Sequence, residues 1–237
     1  MTSGSLGHSG VSDPLKHRLI ERGDRLLLRV LSDSLQEAAR RAGPRLACRL
    51  GCTDCCLGPF PITLLDAWRL RRALRELAAR EPHRAASIRR RARDSLARLA
   101  ASFPGDPGSG LLFPDERAEE DFASRYEREP CPLLDPATGA CELYEARPVS
   151  CRTFGPPVRL GQEDLPPCRL CFPGASSGEV EACRVVMDPD GIEDAVLAEL
   201  ETASGAAGQT IVAFAIALER FPTDAVAEDR PASCAPR

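Results

Sequence analysis

Apolar side chains recur every three or four positions through the first hundred residues. Leu15, Leu19, Leu26, Leu27, Val30, Leu31 and Leu35 predict an amphipathic helix, opened by Ser12 or Asp13 with Pro14 in its first turn and stopped by Gly43-Pro44. Thr63 and Asp66 resemble a capping box, and Ala67, Leu70, Leu74 and Leu77 then step along a second helix that ends at Pro82. A third carries Ala85, Ile88, Ala92, Leu96, Leu99 and Phe103 on one face, with Arg84, Arg89, Arg90, Arg91 and Arg93 elsewhere. The two in succession predict an αα-hairpin. Near the end, Ile192, Val196, Leu197 and Leu200, then Ile211, Phe214, Ala215 and Leu218, give two further helical segments joined near Gly205 and Gly208.

Between these blocks the periodicity fails. Pro104 to Gly110 reads as a loop, and acidic residues are the dominant charge over the following dozen positions. "CPLLDPATGACELY" places a turn, Asp135 to Gly139, between two short apolar runs, which predicts a small hairpin with Cys131 and Cys141 at comparable heights. Pro148 is placed to open a short helix bearing Cys151. From Gly155 to Gly191, Pro and Gly recur in an irregular region with Cys168, Cys171 and Cys183 and one strand at "RVVMD".

The expected fold is therefore mainly α with a small β-hairpin, its helices packed around an irregular cysteine-rich metal-binding centre. Residues 1–12 read as a disordered leader, 13–221 as one domain and 222–237 as a flexible tail. Within the domain lie a cysteine core at 48–155, a helical hairpin insertion at about 62–103, a cysteine-rich loop at 156–190 and C-terminal helices at 191–221.

Composition adds limits rather than identity. A chain of 237 residues with 43% hydrophobic content can fill a core, and a formal charge of −4 advertises neither nucleic acid nor membrane. Lys16 is the only lysine, so nearly every cation is arginine. The opening "MTSGSLGHSG" lacks the features of a signal peptide, and no segment approaches the ~20 apolar residues of a membrane span, so the expected location is the cytoplasm. There a disulfide framework is disfavoured, and metal ligation becomes the leading explanation of eleven cysteines.

Cys48, Cys52 and Cys55 form C-x3-C-x2-C, while Cys168 and Cys171 form C-x2-C; both spacings let a short loop curl around a metal. Cys234 has no neighbour in sequence and is set aside. The ten candidate ligands are Cys48, Cys52, Cys55, Cys56, Cys131, Cys141, Cys151, Cys168, Cys171 and Cys183. Adjacent Cys55 and Cys56 would point to opposite sides of an extended segment and so serve different centres. One centre with redox-active thiols left over, or two four-cysteine centres, both remain open. His8, His17 and His83 lie away from the cysteines and read as surface residues, so the expected site is sulfur-dominated, suited to an iron–sulfur cluster, zinc or copper(I).

"CRLGCTDCC", then "CPLL", then "CELYEARPVSCRTF", resemble the YkgJ-type cysteine-cluster family, a CxxCxxCC domain described as zinc- or iron-chelating. The resemblance spans roughly residues 48 to 155, and its third block is the most specific. It implies that Cys48, Cys52, Cys55, Cys56, Cys131, Cys141 and Cys151 are ligands, with an eighth from Cys168, Cys171 and Cys183. The arginine-rich hairpin and acidic loop between Cys56 and Cys131 depart from a minimal member.

Around the motif, Arg147 and Arg152 are placed to offset thiolate charge or to donate hydrogen bonds to sulfur. Tyr144 reads as a packed aromatic with a bonded hydroxyl, and Glu145 as a partner for Arg147 or Arg152. No catalytic residue emerges. The expectation is a protein that holds a metal ion or cluster for electron transfer, redox sensing or metal handling, with a protein redox or metal-delivery partner. Two alternatives are a cluster-dependent enzyme, of radical-SAM type or the subunit of a modification enzyme, and a nucleic-acid binder with structural zinc. Against the first, no strand–helix alternation follows the C-x3-C-x2-C loop. Against the second, "RRRARD" at 89–94 has few aromatics beside it and reads as a solvated helix face.

Overall fold

The computed structural model describes residues 14–49 and 51–226; the expected leader, His8, Cys234 and the tail from 227 onward lie outside the described residues. The architecture is mainly helical with small sheets of two or three strands.

Helix α1 (Pro14–Ala42) forms where the leucine periodicity placed it, but it buries only part of the expected stripe, Leu27 and Leu31, with Leu35 packed beside the core. The side chains turned inward are His17, Ile20, Asp24, Leu27, Leu31 and Ala38, spaced by threes, fours and a heptad, while Leu15, Leu19 and Leu26 stay exposed. The reason is the neighbour. His17 packs edge-on against Trp68, ring centroids 5.8 Å apart, so it is a buried aromatic rather than a surface histidine. Asp24 meets Arg69, as described below. Gly43, at φ +53, ends the helix.

Helix α2 (Leu64–Arg80) is the central element. The Thr63 hydroxyl accepts from the Asp66 N–H at 3.2 Å, capping the helix, and every residue from Leu64 to Leu70 is buried. Pro82 opens α3 (Pro82–Leu99), whose Ala85, Ile88 and Ala92 close the αα-hairpin against α2.

The acidic stretch holds a helix that its sparse apolar pattern does not announce. In α4 (Glu116–Arg125) the Asp115 carboxylate accepts from Ala118 N–H, and only Phe122 is buried. Phe122 packs edge-on to Phe103, which stacks on Phe214 at 4.0 Å between centroids, making a second apolar cluster with Leu99 and Ile211. Pro148 precedes α5 (Val149–Thr153), as expected, and a capping box of Ser176 and Glu179 starts the short α6 (Ser177–Ala182). Helices α7 (Ile192–Ser204) and α8 (Val212–Ala217) complete the core, joined through Gly205 at φ +70 and Gly208 at φ +114. Residues Pro222–Val226, assigned to the tail, instead form a 3-10 helix with Thr223 and Val226 buried.

The strands are short. β1 (Ile62–Thr63) pairs antiparallel with a partner at Gln209–Thr210, and β2 (Gly105–Asp106) pairs antiparallel with β3 (Leu111–Leu112). β4 (Val158–Leu160) lies between antiparallel β5 (Glu163–Leu165) and parallel β6 (Val185–Met187), the strand expected at "RVVMD"; Gln209–Thr210 is β7. Among the described residues β4 with β6 is the only parallel pair, so no β/α barrel accompanies the first cysteine loop. No described helix is long and apolar enough to cross a membrane.

A buried ion network fixes α1, α2 and α5 to one another. Arg69, only 1% exposed, donates to Asp24 of α1 at 2.7 Å and to Asp66 at 2.6 Å. Asp66 in turn accepts from the Val149 N–H at 3.0 Å, the first residue of the helix that carries Cys151. Charges this deep require one another, because removing one partner leaves the rest desolvated and unpaired.

Candidate metal centre

Two loops bring the first set of thiols together. The turn after α1 is closed by Cys52 N–H donating to Arg49 O at 3.0 Å, and the Cys168–Cys171 turn by Cys171 N–H donating to Cys168 O at 2.7 Å. Cross-links join them: Phe172 N–H donates to Arg45 O at 2.9 Å, and Ala47 N–H to the sulfur of Cys171 at 3.4 Å, across 124 positions of sequence. Cys48 hydrogen-bonds Cys171, and Cys52 and Cys168 lie within electrostatic range of it. Partial burial, then these neighbouring thiols, push the Cys48 thiol up to about 12. Its sulfur lies against the backbone of Gly155, at φ +123, where a Cβ would stand 2.7 Å from it.

The second set gathers around the hairpin. Cys131 N–H donates to Cys56 O and Gly58 N–H to Glu129 O, both at 2.8 Å, so the segment after the cysteine loop runs antiparallel to 129–131. The expected hairpin is present in reduced form: Glu142 N–H donates to Leu133 O and Asp135 N–H to Ala140 O, each at 2.8 Å, and Leu134 bridges Cys141. Cys131, Cys141 and Cys151 on α5 lie within electrostatic range of one another, and Cys55 acts on all three. Burial raises all three thiols, Cys131 to about 12.

Cys55 and Cys56 do not divide between the two sets. They sit in a 3-10 helix, Asp54–Cys56, rather than an extended segment, hydrogen-bond each other, and both face Cys131. The Cys56 thiol donating to Cys55, with help from the Arg147 charge, lowers Cys55 to about 6 and raises Cys56. Cys183 joins neither set: its thiol lies 3.5 Å from Arg41 O, in an apolar cluster with Ala42, Cys171 and Phe172.

Backbone amides aim at the sulfurs. The amides of Leu133 and Leu134 donate to Cys131, that of Leu143 to Cys141 and that of Leu170 to Cys168, in addition to the Ala47 N–H that donates to Cys171. Such N–H···S bonds stabilise thiolate and tune the metal it holds. Sulfur donors in two groups, each supplied with amide donors, fit zinc or an iron–sulfur cluster and suit magnesium or calcium poorly. Among the described residues no three Cys, His, Asp or Glu side chains converge as a closed metal shell, so the thiols are grouped without ringing a single point. His83 is exposed and His17 is buried beside Trp68, both apart from these groups.

The surrounding charges are partly structural. Arg152 donates to the backbone carbonyls of Arg147 and Glu145, not to a carboxylate, and so staples the turn between Cys141 and Cys151. Arg147 lies 3.6 Å over the ring of Tyr144, which is half-exposed rather than packed, and its charge favours thiolate at Cys55 and Cys141. From α3, Arg84 bonds Glu142 at 2.6 Å, Arg91 bonds the same carboxylate, and Arg91 also reaches Pro132 O at 3.0 Å. The arginine-rich helix therefore clasps the cysteine hairpin. Sequence reasoning missed Gly155, Arg69 and Glu142; only the glycine directly after "CRTF" carried a local signal.

No curated protein and no solved structure matches the chain. A family model matches residues 47–169, just over half the chain, and reaches Cys168 beyond the motif's third block. The chain belongs to that family, CxxCxxCC, described as a "putative zinc- or iron-chelating domain".

Proposed function

We propose that the protein holds metal at two separate thiolate centres, Cys48, Cys52, Cys168 and Cys171 forming one and Cys55, Cys131, Cys141 and Cys151 the other. Cys56 adjoins the second as a fifth thiol and Cys183 belongs to neither. The observation that carries this reading is the sorting of nine thiols into two groups whose members act on one another within each group. Four sulfurs in the first group, and four of the five in the second, match the donor count of tetrahedral zinc and of iron–sulfur clusters.

The amide bonds to sulfur and the partly shielded setting favour iron–sulfur clusters serving electron transfer or redox sensing in the cytoplasm. Leu57, Tyr144, Phe154 and Leu170, each next to or within three residues of a candidate ligand, are exposed and suit contact with a redox or metal-delivery partner. Metal of either kind supplies Lewis-acid or redox chemistry that thiols lack. The chain's own part is to position the sulfurs, release their protons and shield them. Anaerobic purification with iron, zinc and acid-labile sulfide analysis, followed by EPR of the reduced protein, tests the choice. Stoichiometric iron and sulfide with a cluster signal are expected; a colourless protein with tightly held zinc contradicts the cluster reading.

A further inference from the structure

On the far side of the αα-hairpin from the cysteine hairpin's clasp, α2 and α3 present two arginine pairs at helical spacing, Arg71 with Arg75 and Arg89 with Arg93. They line a cleft of about 510 Å³ closed by the end of α8 and by Asp224. Leu74 and Ile216 supply apolar lining. A volume of this size falls among ligand sites, which run about 300–1,000 Å³ and place a few polar groups on an apolar base.

The charges in the cleft do not cancel. Arg71 spends all five of its N–H donors within the fold: two on Asp224, at 2.9 and 2.6 Å, and three on the carbonyls of Ala215, Leu218 and Glu219. That bidentate pair occupies Asp224. Arg75 is left with one long contact to it, 3.4 Å, while Arg89 and Arg93 have no hydrogen-bond or ion-pair partner among the described residues. Glu219 is the one other acid in the lining. Three guanidinium groups thus face one uncommitted carboxylate. Burial and the neighbouring charges of Arg71 and Arg72 pull Arg75 below its ordinary pKa, the effect expected where positive charge is crowded and under-compensated.

We propose that this cleft binds a small phosphate-bearing molecule, held by Arg75, Arg89 and Arg93 above the apolar base. Guanidinium forks match the tetrahedral oxygens of phosphate in pairs, and two charges on one compact group answer the excess of cations. A nucleic-acid strand fits less well, because no aromatic side chain lines the cleft for base stacking and Glu219 would meet a continuous phosphate backbone. The site is separate from both thiol groups, so it is independent of the metal reading.

The test uses the full-length, metal-loaded protein titrated with inorganic pyrophosphate by calorimetry, beside the double variant Arg89→Ala, Arg93→Ala. The expected result is one pyrophosphate per chain, weakened at least about tenfold in the variant through loss of charge-assisted hydrogen bonds. Metal content and melting temperature should stay unchanged, and a single-stranded oligonucleotide should fail to compete. No saturable binding by the wild type, equal affinity in the double variant, or displacement of pyrophosphate by the oligonucleotide would each overturn the proposal.

Discussion

At the scale of single residues, the sulfurs depend on positions that are not cysteine. Gly155 lets the Cys48 sulfur approach a backbone at φ +123, a conformation few other residues adopt. Gly155→Ala should displace that sulfur and lower metal content toward that of one centre, while circular dichroism shows the helices intact. Full metal content in the variant would mean Cys48 is not held there. Glu193 makes a different kind of prediction. Burial, then the repulsion of Asp66, raises its carboxyl to about 7 from an ordinary 4.5. The folded state holds that proton more tightly than the unfolded chain. Its contribution to stability is therefore complete below pH 4.5 and is lost as pH rises through about 7. Glu193→Gln keeps the neutral shape, so urea denaturation should find the variant more stable than wild type at pH 8 and close to it at pH 5. An unchanged difference across that range would show that Glu193 does not titrate as the fold implies.

At the scale of elements, the legible parts were those with dense apolar periodicity or a strong stop signal. The hairpin of α2 and α3, Pro148 before α5 and the strand at Val185–Met187 all stand where the pattern put them. The short helices α4 and α6 escaped because each buries at most one side chain and rests on its cap. The inward face of α1 was only partly legible for a related reason. Periodicity counts leucines, yet this helix buries Asp24 and His17 because Arg69 and Trp68 await them on α2. Close approach sets the other side of α1: a Cβ on Gly23 would collide with the Val196 side chain of α7. Gly23→Ala should cost on the order of 1–3 kcal/mol from overpacking, read as a lower midpoint in chemical denaturation, whereas a neutral or stabilising effect would show that α7 can shift.

At the scale of the whole molecule, what the chain specifies is a partition of thiols. The crowding in "CRLGCTDCC" was legible, as was membership of a zinc- or iron-chelating family. Partner choice was not, because it is made by contacts such as Ala47 with Cys171, 124 positions apart, that no local spacing encodes. Local geometry also reversed the reading of the adjacent pair, since a 3-10 turn sends Cys55 and Cys56 to one side. The helices frame this partition: α1 ends at the first group, α3 clasps the hairpin of the second, and the Arg69 network sets the helix that carries Cys151.

The most direct measurement is metal stoichiometry, with sulfide where iron is found, in the anaerobically purified wild type beside Cys52→Ser, Cys141→Ser and the double variant. Two independent centres predict that each single variant keeps the metal of the other centre, that the double variant keeps none, and that Cys183→Ser matches the wild type. A single variant that loses all metal, or a double variant no worse than either single, would contradict the two-centre account.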